Sequence, residues 1–267
     1  MFGRILKGRV PELDLVLPSL RELVTLVSMK AIAVIPARLA STRLPRKMLR
    51  EIAGETLLGR TYNAVRACSQ LERVIIATDS DEILQLAQQN RWDAQMTSAA
   101  HRNGTERVHE IAASVFADVY VNVQGDEPLI RREHIASLLE LMQDPGVQVG
   151  TLKTPTAPED ISNPNAVKVV TDLSGWALYF SRATIPYDRD RTGPPYFTHL
   201  GIYAYRKAAL DRYCALPESP LESSERLEQL RFLENGISIH VAEAPYGTLR
   251  VDTEEDLRRA ERLLRER

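Results

Sequence analysis

Short apolar runs rich in β-branched residues alternate with longer stretches of helical periodicity over the first 150 residues of this chain. Such alternation is typical of βα units around a mostly parallel sheet, because each helix buries one face against the strands. It predicts strands at Ala31–Ile35, Val74–Ala77, Val119–Val123 and Val147–Leu152, with helices at Thr56–Cys68, Asp81–Asn90, Glu106–Ser114 and Glu133–Met142. We therefore expect a doubly wound α/β fold whose ligand site lies at the carboxyl ends of the strands.

The pattern changes after Gly150, where predicted strands follow one another with little helix between them. The later strands are Val167–Thr171, Ala177–Phe180, His199–Tyr205 and Ile237–Ala242, and the later helices are Lys207–Ala215, Leu221–Glu234 and Thr253 to Arg265. Thr253 has the side chain of a helix cap. The sequence as a whole predicts three layers around a mixed, mostly parallel sheet, with a smaller β-rich extension at about 165–206.

Composition narrows the class of protein. The chain has 267 residues, 44% hydrophobic and 26% charged, which is ordinary for a globular protein. A net charge of -2 argues against nucleic acid as a partner. Cys68 and Cys214 are the only cysteines, which suits a reducing cytoplasm. No apolar run approaches the roughly 18 residues that a membrane span needs, so we expect no membrane insertion.

The first 28 residues precede the first predicted strand, and Met29 is a plausible translation start. We interpret residues 1–28 as a poorly ordered appendage, with a partner-binding helix as the alternative. Residues 29–267 are then expected to form a single domain.

A basic loop follows the first predicted strand. Between Ile35 and Lys47 the sequence IPARLASTRLPRK contains several cations and no acid. Arg38, Arg43 and Lys47 could neutralise the oxygens of a triphosphate, while the small residues Ala37 and Ser41 would let the backbone approach it. The spacing is not that of a Walker A loop. The alternative is a solvated basic loop.

Carboxylates follow a second apolar strand in Val121–Pro128, VNVQGDEP. Asp126 falls at the carboxyl end of that strand, where an oxygen ligand suits Mg²⁺, a cation that binds one or two carboxylates together with substrate phosphates. The alternative is a turn whose acids cap the next helix.

Other polar residues could bind a sugar acid. Arg182 could pair with a carboxylate in the bidentate geometry of arginine. His199 and Tyr203 lie four apart and would share one face of a strand. Glu228 and Gln229 could bind hydroxyl groups. Each residue also has an ordinary structural interpretation, as a surface ion pair, a core aromatic or a solvated helix residue.

Six segments in this order resemble one family: Ile35–Lys47, Gly104–Arg107 (GTER), Val121–Pro128, Asn163–Val170 (NPNAVKVV), Ser181–Asp190 (SRATIPYDRD) and Val251–Leu257 (VDTEEDL). The family is that of the 3-deoxy-manno-octulosonate (Kdo) cytidylyltransferases, or CMP-Kdo synthetases. Because the segments are spread over most of the chain, coincidence is a poor explanation.

The resemblance implies a nucleotide-diphospho-sugar transferase-like fold and a role for each site. Asp126 and Asp252 would be the ligands of Mg²⁺, and Lys47 would join them in catalysis. The CTP site would include Ala37, Arg38, Ser41, Arg43, Lys47, Thr105 and Gln124. The sugar site would include Arg182, His199, Tyr203, Glu228 and Gln229.

The sequence departs from the family pattern in three places. Arg46 stands where the family commonly has glycine, Asn103 where it has serine, and Tyr246–Arg250 replaces the usual P-G-T-G approach to the metal aspartate. The first departure bears on loop flexibility, and the last on how Asp252 is presented.

The function implied by the resemblance is the reaction of CTP with Kdo to give CMP-Kdo and pyrophosphate, for lipopolysaccharide biosynthesis in the cytoplasm. The family also implies a homodimer formed through the β-rich extension. The alternatives are a cytidylyltransferase for 8-amino-Kdo or sialic acid, and a catalytically silent nucleotide-binding homologue. A dinucleotide-dependent dehydrogenase fits the βα layout but lacks G-x-G-x-x-G after the first strand.

Overall fold

A computed structural model describes residues 29–41 and 43–266, so the predicted appendage at 1–28 lies outside the described residues. The strands are β1 Ala31–Ala37, β2 Glu51–Ile52, β3 Glu55–Thr56, β4 Arg73–Thr78, β5 Ala94–Met96, β6 Val119–Asn122, β7 Val149–Pro155, β8 Lys168–Thr171, β9 Ala177–Ser181, β10 Phe197–Tyr205 and β11 His240–Glu243. The helices are α1 Leu57–Arg66, α2 Asp81–Gln89, α3 Gly104–Ser114, α4 Arg132–Leu141, α5 Lys207–Ala215, α6 Pro220–Glu225, α7 Leu230–Glu234 and α8 Glu254–Arg265.

The central sheet confirms the predicted mixed, mostly parallel topology. Its strand order is β11-β7-β10-β6-β1-β4-β5. β1 pairs in parallel with β4 and β6, and β11 pairs in parallel with β7, whereas β10 runs antiparallel to both β6 and β7. The β8–β9 hairpin joins this sheet at Thr198 of β10. The carboxyl ends of β1 and β6 therefore lie side by side at one edge of the molecule.

Alternating side chains of β1 produce the three layers. Ala33 and Ile35 belong to the core cluster that contains side chains of α1, α2 and α4. Ile32 and Val34 belong to the opposite cluster, with side chains of α3 and α5. Since successive residues of a strand point to opposite faces, a continuous apolar run such as β1 must be covered on both sides.

Local side chains fix where several helices begin. Thr56 and Ser80 cap α1 and α2, and Asn103 caps α3 by accepting a 2.9 Å hydrogen bond from the backbone N–H of Glu106. Thr253 caps α8, as predicted, and the Asp256 carboxylate accepts a hydrogen bond from the Thr253 backbone N–H. These oxygens satisfy N–H groups that have no partner within the helix.

The predicted helix Leu221–Glu234 is wrong. The segment forms two short helices, α6 and α7, separated by Arg226 in the left-handed conformation with φ 54°. This break lets Arg231 donate from Nε and Nη2 to the two carboxylate oxygens of Glu222, each at 2.6 Å. On a continuous helix the two residues would stand about 13 Å apart along the axis, so helical periodicity does not predict this buried pair.

Smaller differences concern short strands. β5 and the β2–β3 pair were not predicted, because two or three residues leave almost no periodic signal. β11 begins later than the predicted Ile237–Ala242, since Ile237 and Ile239 are buried in the core before the chain reaches the sheet. None of the described helices is long and apolar enough to cross a membrane.

Candidate active site

The basic loop leaves β1 at Ala37, which is fully buried at the end of the strand. Arg38 follows and donates from Nη2 to the backbone oxygen of His101 at 2.5 Å, and Ser41 lies half-buried further along the loop. Burial, followed by the charge of nearby Arg107, lowers the pKa of the Arg38 guanidinium. Arg38 therefore connects the predicted phosphate loop with the segment that leads into α3.

Arg46 occupies one of the positions at which the sequence departs from the family pattern. It has φ 56° and ψ 32°, the left-handed region in which glycine is favoured, and a short 3₁₀ turn at Lys47–Leu49 follows it. Its side chain pairs with Glu82. The backbone of the loop thus has the conformation that glycine would favour, with an arginine in its place.

The three residues predicted to be catalytic are in direct contact. Lys47 Nζ donates to Asp126 Oδ2 at 2.5 Å and to Asp252 Oδ1 at 2.9 Å. Lys47 and Asp126 are buried, with side chains 8% and 4% exposed, whereas the Asp252 side chain is 23% exposed. Residues 205 positions apart in the sequence therefore meet at a single ammonium group.

Two arginines add to this cluster. Arg43 Nη2 lies 2.9 Å from Asp252 Oδ2, and Arg250 Nε lies 3.1 Å from Asp126 Oδ2 and 3.6 Å from Asp252 Oδ2. Burial by itself would raise the pKa of Asp252, but Arg250, Lys47 and Arg43 outweigh it and hold that pKa below its usual value. The Asp252 carboxylate is thus kept ionised by the cations that surround it.

A small hydrophobic cluster brings Asp252 to the basic loop. Val251 and Leu257 pack with Leu44 of the loop and with Leu57 at the start of α1. The backbone N–H of Val251 donates to the backbone carbonyl oxygen of Asp126 at 2.9 Å. This bond joins the segment before α8 to the end of β6. Packing and a backbone hydrogen bond therefore set the distance between the two carboxylates.

The paired carboxylates fit a divalent cation. Asp126 Oδ1 is buried and accepts no hydrogen bond from any residue that the structure describes. Within residues 29–41 and 43–266, no group of three or more His, Cys, Asp or Glu side chains is arranged to hold a metal ion. Two carboxylates suit Mg²⁺, because this ion commonly takes its remaining ligands from phosphates and water.

Glu127 lies beside this pair and has a raised pKa. It is 4% exposed, and its burial, reinforced by the charge of Asp126, raises its pKa to about 7. A hydrogen bond with Thr248 opposes the shift. Glu127 therefore carries less negative charge near neutral pH than Asp252, whose pKa is lowered.

Gly104 packs closely against Gln124 at the start of α3. A Cβ atom at Gly104 would stand 3.0 Å from Gln124 Nε2 and 3.3 Å from Pro36 Cγ, so a side chain here would require these neighbours to shift slightly. Thr105, the next residue, is fully buried, and its Oγ1 lies 3.3 Å from the Tyr205 hydroxyl. Gln124 and Thr105 thus both lie next to Gly104, near the end of β1.

His199 and Tyr203 share a face of β10, as predicted. Their ring centroids are 5.3 Å apart, although the strand bulges between Leu200 and Tyr203. His199 Nε2 lies 2.9 Å from Thr151 Oγ1, and burial lowers the pKa of the imidazole to about 3. His199 is therefore neutral and offers a hydrogen bond rather than a charge.

Glu228 and Gln229 lie in the break between α6 and α7, not on a solvated helix. Glu228 Oε2 and Gln229 Nε2 are both buried, and neither has a hydrogen-bond partner among the described residues. Burial raises the pKa of Glu228 to about 7, and a hydrogen bond with Thr105 opposes the shift. An acceptor and a donor left free side by side are suited to hydroxyl groups.

Arg182 holds the same break together. Its Nε donates to the backbone oxygen of Glu225 at 2.7 Å, and its Nη1 to that of Pro164 at 3.0 Å. The Glu225 carboxylate in turn accepts from the Arg182 backbone N–H at 2.9 Å. Much of the guanidinium is thus engaged with the protein, and pairing of Arg182 with a substrate carboxylate stays a prediction.

Sequence reasoning missed Arg250 and Glu127 as members of the site. Arg250 immediately precedes the Val251–Asp252–Thr253 segment, so its position was the only available signal. Glu127 follows Asp126 directly, but nothing in the sequence indicates that it is buried beside Thr248.

Comparison with known proteins agrees with this geometry. A family model for cytidylyltransferases matches residues 32–239. The chain is 66% identical to the 3-deoxy-manno-octulosonate cytidylyltransferase of Koribacter versatilis over 241 residues, which cover 90% of this chain and 92% of the relative. It is 58% identical to the enzyme of the same name from Acidobacterium capsulatum, over 90% of this chain and 98% of the relative.

Solved structures give the same result for the fold. The structure of CMP:2-keto-3-deoxy-manno-octonic acid synthetase complexed with CTP has a TM-score of 0.85 and 40% identity, and covers 89% of this chain and 99% of that chain. A cytidylyltransferase from Leptospira borgpetersenii, 19% identical with a TM-score of 0.60 over 90% of this chain and 88% of that one, shares the fold. The site geometry, the family model and the identity over nine-tenths of the chain together show that this protein belongs to the 3-deoxy-manno-octulosonate cytidylyltransferase family.

Proposed function

We propose that this protein transfers the cytidylyl group of CTP to Kdo, giving CMP-Kdo and pyrophosphate. The observation that carries the proposal is the contact of Lys47 with both Asp126 and Asp252 beside the basic loop. It joins a phosphate-binding cation to two carboxylates suited to a cation, Asp126 after β6 and Asp252 before α8, beside the carboxyl ends of β1 and β6, where doubly wound folds bind their ligands.

In this reaction the anomeric 2-hydroxyl oxygen of Kdo forms a bond with the α-phosphorus of CTP. The bond from that phosphorus to the bridging oxygen breaks, pyrophosphate leaves with the electron pair, and the hydroxyl proton is released. Such a transfer needs positioning and charge stabilisation more than covalent catalysis. Lys47, Arg38 and Arg43 would hold the triphosphate oxygens, because positive charge close to the phosphates stabilises the transition state.

Mg²⁺ would be held by Asp126 and Asp252, and when bound it would lower the pKa of the attacking hydroxyl and neutralise phosphate charge. Lys47 keeps these two carboxylates converged, with its own ammonium buried between them. Arg43, which contacts Asp252 from the solvent side, is free to move towards the nucleotide because its side chain is 60% exposed.

The substrate would lie along the cleft between two groups of residues. Gln124 and Thr105 would contact the cytidine at the start of α3, where Gly104 packs against Gln124. The free atoms of Glu228 and Gln229, with neutral His199 and Tyr203, support binding of the sugar hydroxyls. Thr105 also hydrogen-bonds Glu228, so the residues proposed for the two substrates are in contact.

We further infer that residues 29–267 act as one nucleotidyltransferase domain, in the cytoplasm and as a homodimer, and supply CMP-Kdo for lipopolysaccharide biosynthesis. Free Cys68 and Cys214 are consistent with a reducing compartment. Exposed apolar side chains on the β-rich extension, Leu173, Leu178 and Tyr187, support the homodimer.

The test is pyrophosphate release from the purified protein with Mg²⁺ and CTP, comparing Kdo, its 8-amino analogue and sialic acid. ATP, GTP and UTP replace CTP in parallel reactions, and EDTA removes the metal. We expect release that requires CTP, Kdo and Mg²⁺ together. Absence of release with every sugar, from folded protein that still binds CTP, would instead identify a silent nucleotide-binding homologue.

Substitutions connect this activity to the site. We expect Lys47→Met to lower kcat/KM by at least about 100-fold, because it removes a charge close to the phosphates. Lys207→Met is the matched control, since Lys207 pairs with Asp211 on the exposed face of α5. Normal turnover by the Lys47→Met protein would contradict the proposed role of this residue.

A further inference from the structure

Arg250 is placed where a cation would have to bind. Its Nε contacts Asp126 Oδ2 at 3.1 Å and stands 3.6 Å from Asp252 Oδ2. It belongs to the stretch Tyr246–Arg250, which departs from the family pattern. The hydrogen bond from the Val251 backbone N–H to the Asp126 backbone carbonyl oxygen holds the adjoining backbone against the end of β6.

Side chains of this chain already compensate the negative charge of the pair. Asp126 and Asp252 are surrounded by three cations, Lys47, Arg43 and Arg250, all within ion-pairing distance. A divalent cation that enters this cluster must therefore approach three positive groups, and binding is weakened unless one of them leaves.

Exposure indicates which group leaves. The Lys47 side chain is 8% exposed and contacts both carboxylates, so its departure would break two ion pairs, one buried and one partly buried. The Arg250 side chain is 55% exposed, so a turn into solvent costs it little in solvation. Arg43 is also exposed, at 60%, but it contacts Asp252 alone. Arg250 is thus the exposed counter-ion that contacts both carboxylates.

We propose that Arg250 competes with the divalent cation for the Asp126–Asp252 pair in the nucleotide-free protein. The inference rests on the proposed cation site and adds to it a positioning residue in the stretch that departs from the family pattern. Arg250 keeps the two carboxylates converged before the metal arrives and lowers their affinity for the metal alone. The negative charge of the triphosphate then offsets this penalty, so cation binding depends on nucleotide binding.

Binding of Mn²⁺ to the full-length protein without nucleotide tests the competition, with the free-ion signal measured by electron paramagnetic resonance. We expect Arg250→Gln to bind Mn²⁺ about three- to tenfold more tightly than the wild type, the range expected for loss of a half-exposed counter-ion. Arg250→Lys, which keeps the charge, should remain close to the wild type. Arg258→Gln removes the same charge from the exposed face of α8 and should leave the affinity unchanged.

Two outcomes separate failure of this inference from failure of the proposed function. Equal or weaker Mn²⁺ binding by Arg250→Gln, with binding lost in Asp126→Asn, would overturn the role of Arg250 and leave the cation site standing. Unchanged binding by Asp126→Asn would overturn the cation site itself, and the inference with it. If thermal melting shows that Arg250→Gln is not folded, Arg250→Met removes the same charge and provides the comparison.

Discussion

Lys47 and Arg250 contact the same two carboxylates, but they are held there by different surroundings. Lys47 follows a left-handed residue and is buried under the loop, whereas Arg250 reaches the pair from the solvent side. The family resemblance identified Lys47 and both aspartates, because they stand in three of its ordered motifs. It did not identify Arg250, because the motif of this family includes no residue of that type at that position.

Glu228 yields a prediction about pH at the residue scale. Its pKa is raised to about 7, chiefly by burial, above the ordinary glutamate value near 4.3 in an unfolded chain. The folded state therefore binds the proton more tightly, so the stability that Glu228 contributes is complete below about pH 4 and is lost as the pH rises towards about 7. We expect Glu228→Gln to flatten this decline in the free energy of unfolding.

Urea unfolding of the two proteins between about pH 5 and pH 8 measures the difference. The same substitution at exposed Glu51 serves as the control and should leave the pH dependence unchanged. Glu127 has a pKa that is also raised to about 7. Part of the decline in the free energy of unfolding with rising pH should therefore remain in every variant. Parallel curves for Glu228→Gln and the wild type would show that Glu228 does not titrate in this window.

At the scale of elements, the break between α6 and α7 shapes the sugar side of the site. It places Glu228 and Gln229 in a turn and lets Glu222 meet Arg231 inside the protein. Helical periodicity over 221–234 predicted one helix, since side-chain spacing carries little information about a single residue in the left-handed region.

Arg226 yields a prediction about this break. A non-glycine residue in the left-handed conformation costs about 1 kcal/mol or more, and Arg226 has φ 54°. We therefore expect Arg226→Gly to raise the free energy of unfolding by about 1 kcal/mol, because glycine adopts this conformation without a clash. Denaturant unfolding at neutral pH measures the change.

Arg212→Gly is the matched comparison, since Arg212 is an exposed residue within α5. Glycine in a helix interior should lower the free energy of unfolding by about 1 kcal/mol. Opposite signs for the same substitution at the two positions are the expected result. If both variants are destabilised, the left-handed backbone of Arg226 is not what limits stability there.

At the scale of the whole molecule, the antiparallel strand β10 connects the central sheet with the β8–β9 hairpin. It lies between β6 and β7 in the sheet and also carries the β8–β9 hairpin at Thr198. On that hairpin, Leu178 is 62% exposed, an unusual position for a large apolar side chain. This surface is the one that the family resemblance implies for the homodimer.

We expect Leu178→Glu to convert the proposed homodimer into a monomer, because an unpaired charge in an apolar interface is costly to desolvate. Light scattering after size-exclusion chromatography measures the mass. Leu263→Glu on α8, where Leu263 is 36% exposed, is the control and should leave the mass unchanged. A monomeric wild type, or a Leu178→Glu protein that stays dimeric, would exclude this surface as the interface.

The sequence by itself determined the class of fold and the identity of the chemical groups. Apolar alternation predicted the βα layers, and the ordered family motifs supplied Lys47, Asp126 and Asp252, since each of these signals lies in a short stretch of sequence. Only the tertiary structure decided which cations share the carboxylates and which polar atoms stay free. Arg250, Glu127 and the turn that holds Glu228 depend on contacts between segments distant in sequence, and burial, charge balance and backbone breaks at such contacts leave no periodic signal in the chain.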